Sequence, residues 1–215
     1  MYLVQMPSIL VYRDCILLHN VSRHTIRKEH LSAKWQRMCN ENVDVRLVIE
    51  SISNGESVSV SRGQIFQTNE PFNKLIKALW WGYPNGMRVS RYFSNIISKA
   101  GVISTLLAQY GDRNITEDEY IRLYYQVKST VGQGIGMSTI SKFFYFFKIS
   151  VEGCKSVIVD SKVKKAMNYF DDFNPIHESG EAIGYLSATR EINRVAGEWA
   201  EPGQIEYFLF GFQEY

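Results

Sequence analysis

Val131-Gly132-Gln133-Gly134-Ile135-Gly136-Met137-Ser138-Thr139 is the stretch whose reading decides the fold. Glycine at every second position cannot continue a helix, because each glycine costs about 1 kcal/mol at a helical site. It admits positive φ and lets a backbone come close to something else. Both flanks are helical in pattern. Upstream, Thr116 and Glu119 have the spacing of a capping box, which predicts a helix over about Glu117–Thr130. Downstream, Ile140, Phe143, Phe144 and Phe147 form an apolar stripe at helical spacing, opening near Met137. After a loop comes Val157-Ile158-Val159-Asp160-Ser161-Lys162-Val163-Lys164-Lys165, an acid closing an apolar run with lysines close behind.

The N–H groups and positive dipole end at the start of a second helix suit an anion such as a phosphate. A plain turn between packed helices is the bland alternative; the downstream aspartate and lysines weigh against it. Gly134-Ile135-Gly136-Met137-Ser138-Thr139, followed by Ile158-Val159-Asp160-Ser161-Lys162-Val163-Lys164, resembles the helix–hairpin–helix DNA glycosylase superfamily. The pattern is similar to the adenine DNA glycosylase branch, with its glycine-hydrophobic-glycine-x-Ser-Thr hairpin and its aspartate in an apolar setting before a basic helix. Pro71 to Trp81 looks like the early helix that, in that family, ends in Gln-Gln-Thr and wedges into DNA. The resemblance covers about residues 70–170 and implies a mainly α, compact helical glycosylase fold acting on double-stranded DNA.

Departures from the pattern are informative. Trp80-Trp81-Gly82-Tyr83-Pro84-Asn85-Gly86 stands where Gln-Gln-Thr is expected, and Lys77 falls near the glutamate that serves adenine removal. The hairpin-to-aspartate gap is a few residues longer, and the iron–sulfur cysteines of that branch are missing. Ser138 occupies the position of the lysine that marks glycosylase/lyase members. These differences imply a divergent member, without a cluster, acting on a different base. Oxidised purine (8-oxoguanine) is the conservative expectation, and a hypermodified phage base in antiviral defence is the second.

Breaking an N-glycosidic bond builds oxocarbenium character on the sugar, as in glycoside hydrolysis. A carboxylate beside the sugar stabilises that charge and helps activate water. Asp160 is the candidate, and N-capping of the next helix is its competing role. The resemblance assigns strand gripping to Gly132, Gly134, Gly136, Ser138, Thr139, Lys142 and Lys162. The hairpin could also hold a monovalent cation; no other cofactor and no metal is expected. Trp80, Trp81, Tyr83 and Asn85 are the candidates for base pocket or wedge, with one tryptophan expected in the core and one in a pocket. Ser138 implies a monofunctional enzyme that uses water. Lys142 lies one helical turn on, on the same face, where phosphate contact, solvation or Schiff-base formation are all open.

At 215 residues the chain suits a single domain, with residues 1–69 as an extension packed on the motif-bearing core. A net charge of +2 does not by itself announce a nucleic-acid partner, but Lys142, Lys148, Lys155, Lys162, Lys164 and Lys165 suggest a local basic face. Cys15, Cys39 and Cys154 have neither metal nor disulfide spacing, which fits reduced thiols and a cytoplasmic, nucleoid-associated monomer. Arg13 and Asp14 interrupt the apolar segment Ile9–Leu18, so no leader is expected, and no run reaches membrane-spanning length. His19, His24, His30 and His177 show no ligand spacing.

Elsewhere the pattern predicts helices over Glu29–Cys39, Asp44–Ser53, Phe72–Trp81, Val89–Ala100 (closed by Gly101), Ile103–Tyr110, Asp160–Tyr169, Ser179–Trp199 and Gln204–Phe212. Residues 9–18 read as short strands or a helix. Val58 and Val60 alternate with serines, like one strand of a minor hairpin. The contrasting functions are a non-catalytic DNA-binding module, which needs no acid at position 160, and a helical scaffold with no DNA affinity.

Overall fold

The computed structural model describes residues 6–176 and 181–212. The chain is mainly α. In order it forms α1 (Arg13–Leu17), β1 (Thr25–Lys28), α2 (Ala33–Glu41), α3 (Val43–Glu50), β2 (Ser53–Asn54), β3 (Ser57–Ser61), α4 (Arg62–Phe66), α5 (Pro71–Gly82), α6 (Ser90–Ser98) and α7 (Ala100–Ala108). It continues with β4 (Asn114–Ile115), α8 (Glu117–Val131), α9 (Met137–Phe146), β5 (Ser150–Val151), β6 (Cys154–Lys155), α10 (Ser161–Met167), α11 (Glu181–Ala196) and α12 (Pro202–Gly211). Ile9–Tyr12 and Val21–Arg23 are single 3-10 turns.

α5 is the central element. Pro71 opens it with a fixed φ where no N–H is needed, and the Glu70 carboxylate accepts from the amides of Phe72 and Asn73. Leu75, Ile76, Ala78, Leu79, Trp80 and Trp81 are all buried, and α3, α7 and α9 pack around them. At its end Tyr83 N donates to Leu79 O, and the loop turns at Gly86 with φ +72°.

The alternation at Val58 and Val60 is a strand, as the serine spacing predicts. β3 lies between β1 and β2, antiparallel to both, with Ile26 opposite Val60 and Ser53 opposite Val58. Both valines are buried and the serines are half-buried, because successive residues of a strand point to opposite faces. A second small sheet was not expected. β4 runs parallel to β5, and β5 pairs antiparallel with β6, so the loop after α9 is tied back to the start of α8. That tie fixes the path by which the chain reaches Asp160.

Several boundaries differ from expectation. Gly101 does not cap a helix but lies in the first turn of α7, whose buried Ala100, Ile103 and Leu107 hold it in place. Pro202 begins α12 rather than breaking the chain, with Glu201 and Gln204 forming a capping box. The segment over residues 9–18 is helical rather than extended. The predicted cap Ser179, and His177, lie outside the described residues.

Candidate active site

The capping box at Thr116 is present. Glu119 N donates to Thr116 Oγ1, and the Glu119 carboxylate accepts from Thr116 N at 2.9 Å. α8 ends at Gly132, φ +81°, and Gly134 follows at φ +92°. Both angles lie where an L side chain is strained, so the alternation of glycines has a conformational cause. Gly136 is extended and precedes α9. The first helical bonds run from Thr139 N and Ile140 N to Gly136 O. The amides of Gly136, Met137 and Ser138 therefore have no partner among the described residues, the condition for an anion seat at a helix start.

Asp160 caps α10, its Oδ1 accepting from Lys162 N at 2.9 Å and Val163 N at 3.0 Å. Its Oδ2 has no hydrogen bond among the described residues, and the residue is half-buried. The acid is tied to the hairpin helix through its neighbour: Ser141 Oγ accepts from Val159 N (3.1 Å) and lies 3.3 Å from Val159 O. Val157, Ile158 and Val159 are buried and anchor the approach. Capping and availability for chemistry, read from the sequence as competitors, coexist on the two oxygens of one carboxylate.

Of the roles left open for Lys142, burial excludes plain solvation. It is buried, with 6 % of its surface exposed. Its chain runs back along α9, so that Nζ donates to Ser138 O (2.7 Å) and Ser138 Oγ (3.0 Å) and lies 5.2 Å from the centre of the Tyr83 ring. A Cβ on Gly82 would fall 2.6 Å from Lys142 Cδ, so glycine there makes room for the lysine. Tyr83 OH bonds Thr139 Oγ1 at 2.7 Å and joins the end of α5 to the hairpin helix. The lysine position missing from the motif is thus reached in space by a lysine one turn later.

The basic face is not a single surface. Lys148 pairs with Asp112 and Lys155 with Glu201, while Lys162 is exposed beside Asp160. The base-pocket expectation needs a larger correction. Trp80 is fully buried and Trp81 is 6 % exposed, and neither lines a cavity described among these residues. Both lie on the packed face of α5, where burying large aromatic surface against α9 is favoured over leaving it wet. Asn85 is exposed and Tyr83 half-buried. Lys77, near the position of the missing glutamate, donates to Thr68 Oγ1 at 3.3 Å.

The sequence reading missed a buried charge cluster behind the site. Arg62 and Glu206 form a two-armed ion pair, with Nη1–Oε2 at 2.6 Å and Nη2–Oε1 at 3.2 Å, both side chains fully enclosed. Arg62 lies over Trp81 at 4.8 Å and Tyr145 at 5.2 Å. Burial opposes its charge, but Glu206 and Tyr145 outweigh burial and raise its pKa. Burial likewise pushes Glu206 upward while Arg62 pulls it back; Asp160 and Lys142 also act on it, so Glu206 feels both site charges. A lone acid in the aromatic run Ile205-Glu206-Tyr207-Phe208 was the available signal.

Beside this cluster an aromatic cavity of about 700 Å³ opens between the N-terminal segment and α12. Phe210 on its wall is covered by Lys162, whose Nζ lies 5.1 Å from the ring centre. Lys162 thus links this wall to α10, two residues along the chain from Asp160.

A glycine hairpin that opens a helix, with an acid at the head of a later helix hydrogen-bonded back to it through Val159, defines the helix–hairpin–helix class of DNA glycosylases. The family described as "Putative 8-oxoguanine DNA glycosylase OGG-like protein" matches residues 19–210, and the chain belongs to that family. Membership implies DNA as its partner. No curated protein and no solved structure matches the chain. Among the described residues, no helix is long and apolar enough to cross a membrane.

Proposed function

We propose that this protein is a monomeric, monofunctional glycosylase that removes an oxidised purine, 8-oxoguanine first among them, from double-stranded DNA. The observation that carries the reading is the divided Asp160 carboxylate, one oxygen bound at the head of α10 and the other free. The strand lies against the open amides of α9, and the nucleotide is extruded, since chemistry on a base requires taking it out of the stack. As the glycosidic bond breaks, Asp160 stabilises the positive sugar and orients the attacking water; the base leaves and an abasic site remains. No organic cofactor enters the scheme. The family's description supports an oxidised purine over a phage-modified base, which stays as the second substrate to try.

The position of Lys142 favours a second reading, a glycosylase that also nicks the strand. Its amine is held at Ser138, the position that a lysine takes in glycosylase/lyase members of the motif. In that scheme the amine displaces the base at C1′ and the base leaves with the proton the amine gives up; the C1′–O4′ bond then opens, O4′ takes a proton and C1′ is left as the Schiff base, and loss of a C2′ proton expels the 3′-phosphate by β-elimination. Borohydride trapping separates the two: a covalent adduct that vanishes in Lys142→Gln establishes the lyase, and its absence on a substrate that is turned over establishes hydrolysis.

The test of the whole reading is incubation with duplexes carrying 8-oxoguanine, alkylated, phage-modified or ordinary bases, scored for abasic sites. Release that disappears in Asp160→Asn supports the assignment. Undiminished release in that variant removes it.

A further inference from the structure

Neither tryptophan of α5 can receive an extruded base, which leaves the seat of that base unassigned. The aromatic cavity beside α10 has the required properties. Tyr12, Tyr169, Tyr207, Phe210 and Phe212 supply flat faces on several sides. Its volume of about 700 Å³ lies within the range of small-molecule sites, roughly 300–1,000 Å³. Among the described residues its lining has no Lys, Arg, Asp or Glu. An uncharged heterocycle suits such walls; a phosphate or carboxylate does not.

One polar group in the lining is conspicuous. His24 is clamped between aromatic rings, Tyr207 at 4.6 Å and Trp81 at 5.0 Å. Its backbone carbonyl accepts from Arg62 N (3.0 Å) and Trp81 Nε1 (3.4 Å), so the Arg62 backbone and the Trp81 indole hold it in place. Its Nδ1 is buried without a hydrogen-bond partner. That atom is closed off from solvent, so Nε2 is the ring nitrogen left to meet a ligand.

We propose that this cavity is the seat of the extruded base and that the His24 imidazole reads the base's edge. The inference rests on the glycosylase reading above and names the residues that would give it selectivity. With the base between these rings, the sugar lies at the cavity mouth, beside Lys162 and Asp160. Burial, with the nearby Arg62 charge, holds His24 neutral. The accessible Nε2 of a neutral imidazole donates or accepts according to tautomer, so it can distinguish a base nitrogen that carries hydrogen from one that does not.

The experiment uses the full chain carrying Asp160→Asn, so that the base stays attached. Binding is measured to three otherwise identical duplexes, with 8-oxoguanine, guanine or a tetrahydrofuran abasic analogue at one position. Adding Phe210→Ala should weaken binding to the 8-oxoguanine duplex about tenfold through lost stacking. Adding His24→Phe should reduce the preference for 8-oxoguanine over guanine about tenfold, as one edge bond is lost. Affinity for the baseless duplex should not change in either, because nothing then enters the cavity; this also shows that the variants are folded. If both variants keep the parent's affinity and preference, the cavity is not the seat. If the unmutated chain releases no base and does not distinguish the three duplexes, the glycosylase reading itself has failed and this inference with it.

Discussion

Glu206 senses the charge of Asp160, yet the fold treats the two carboxylates oppositely. Glu206 is fully enclosed and both oxygens are spent on Arg62. Asp160 is half-buried, spends one oxygen on two backbone amides and keeps the other free. A carboxylate with both oxygens committed holds a structure together; one anchored at a single oxygen is positioned and still available. The difference arises from context alone. Asp160 closes an apolar run that stops at the surface, and Glu206 sits within an aromatic helix that seals it inside.

The largest effect should come from the available acid. Asp160→Asn keeps a capping side chain but removes the charge opposite the sugar cation, and base release should fall about 10²–10³-fold or more in a single-turnover assay with thermal stability nearly unchanged. The committed acid should behave the other way. Arg62→Met strands Glu206 in the interior, and breaking one side of a buried pair typically costs about 3–5 kcal/mol, read as a lowered urea midpoint. A stable Arg62→Met protein would mean that the pair is not structural.

The hairpin sharpens the contrast further, since its glycines are required for shape. A Cβ at Gly134 would lie 1.9 Å from Tyr92 Cγ, at φ +92°. Gly134→Ala should therefore cost about 1–3 kcal/mol and weaken DNA binding. Gly132→Ala, also at positive φ but with open space around it, carries the backbone strain alone, about 1–3 kcal/mol, and should be the milder of the two. Equal effects at the two positions would show that the Tyr92 contact yields freely.

The smallest effect concerns pH. Burial first, then Arg62, lowers the His24 pKa from 6.5 to about 4. Its contribution is complete above pH 6.5 and is lost as pH falls toward 4, because the unfolded chain takes up the proton first. Glu119, Glu181 and Glu191, whose values are lowered from 4.5, contribute losses as pH falls through 4.5 and below. Between pH 7 and 5 the urea midpoint should decline, and His24→Phe should flatten that decline. An identical slope in the variant would place the titration elsewhere.

Local chemistry accounts for what could be read in advance. The Thr116 capping box, the alternate glycines, the stripe of α9 and the acid before α10 each depend on residues within a few positions of one another, so periodicity and turn preference determine them. The Gly101 and Pro202 boundaries were harder, because a breaker inside a helix differs from one at its first turn only by how its neighbours pack. What tertiary structure alone decided is everything joined across the chain. It closed both tryptophans into the core, carried the amine of Lys142 back to Ser138, paired Arg62 with Glu206 across 144 positions, and brought His24 to the aromatic wall of α12. Such contacts come from the docking of whole helices and the desolvation that follows, and neither leaves a pattern in any local stretch of sequence.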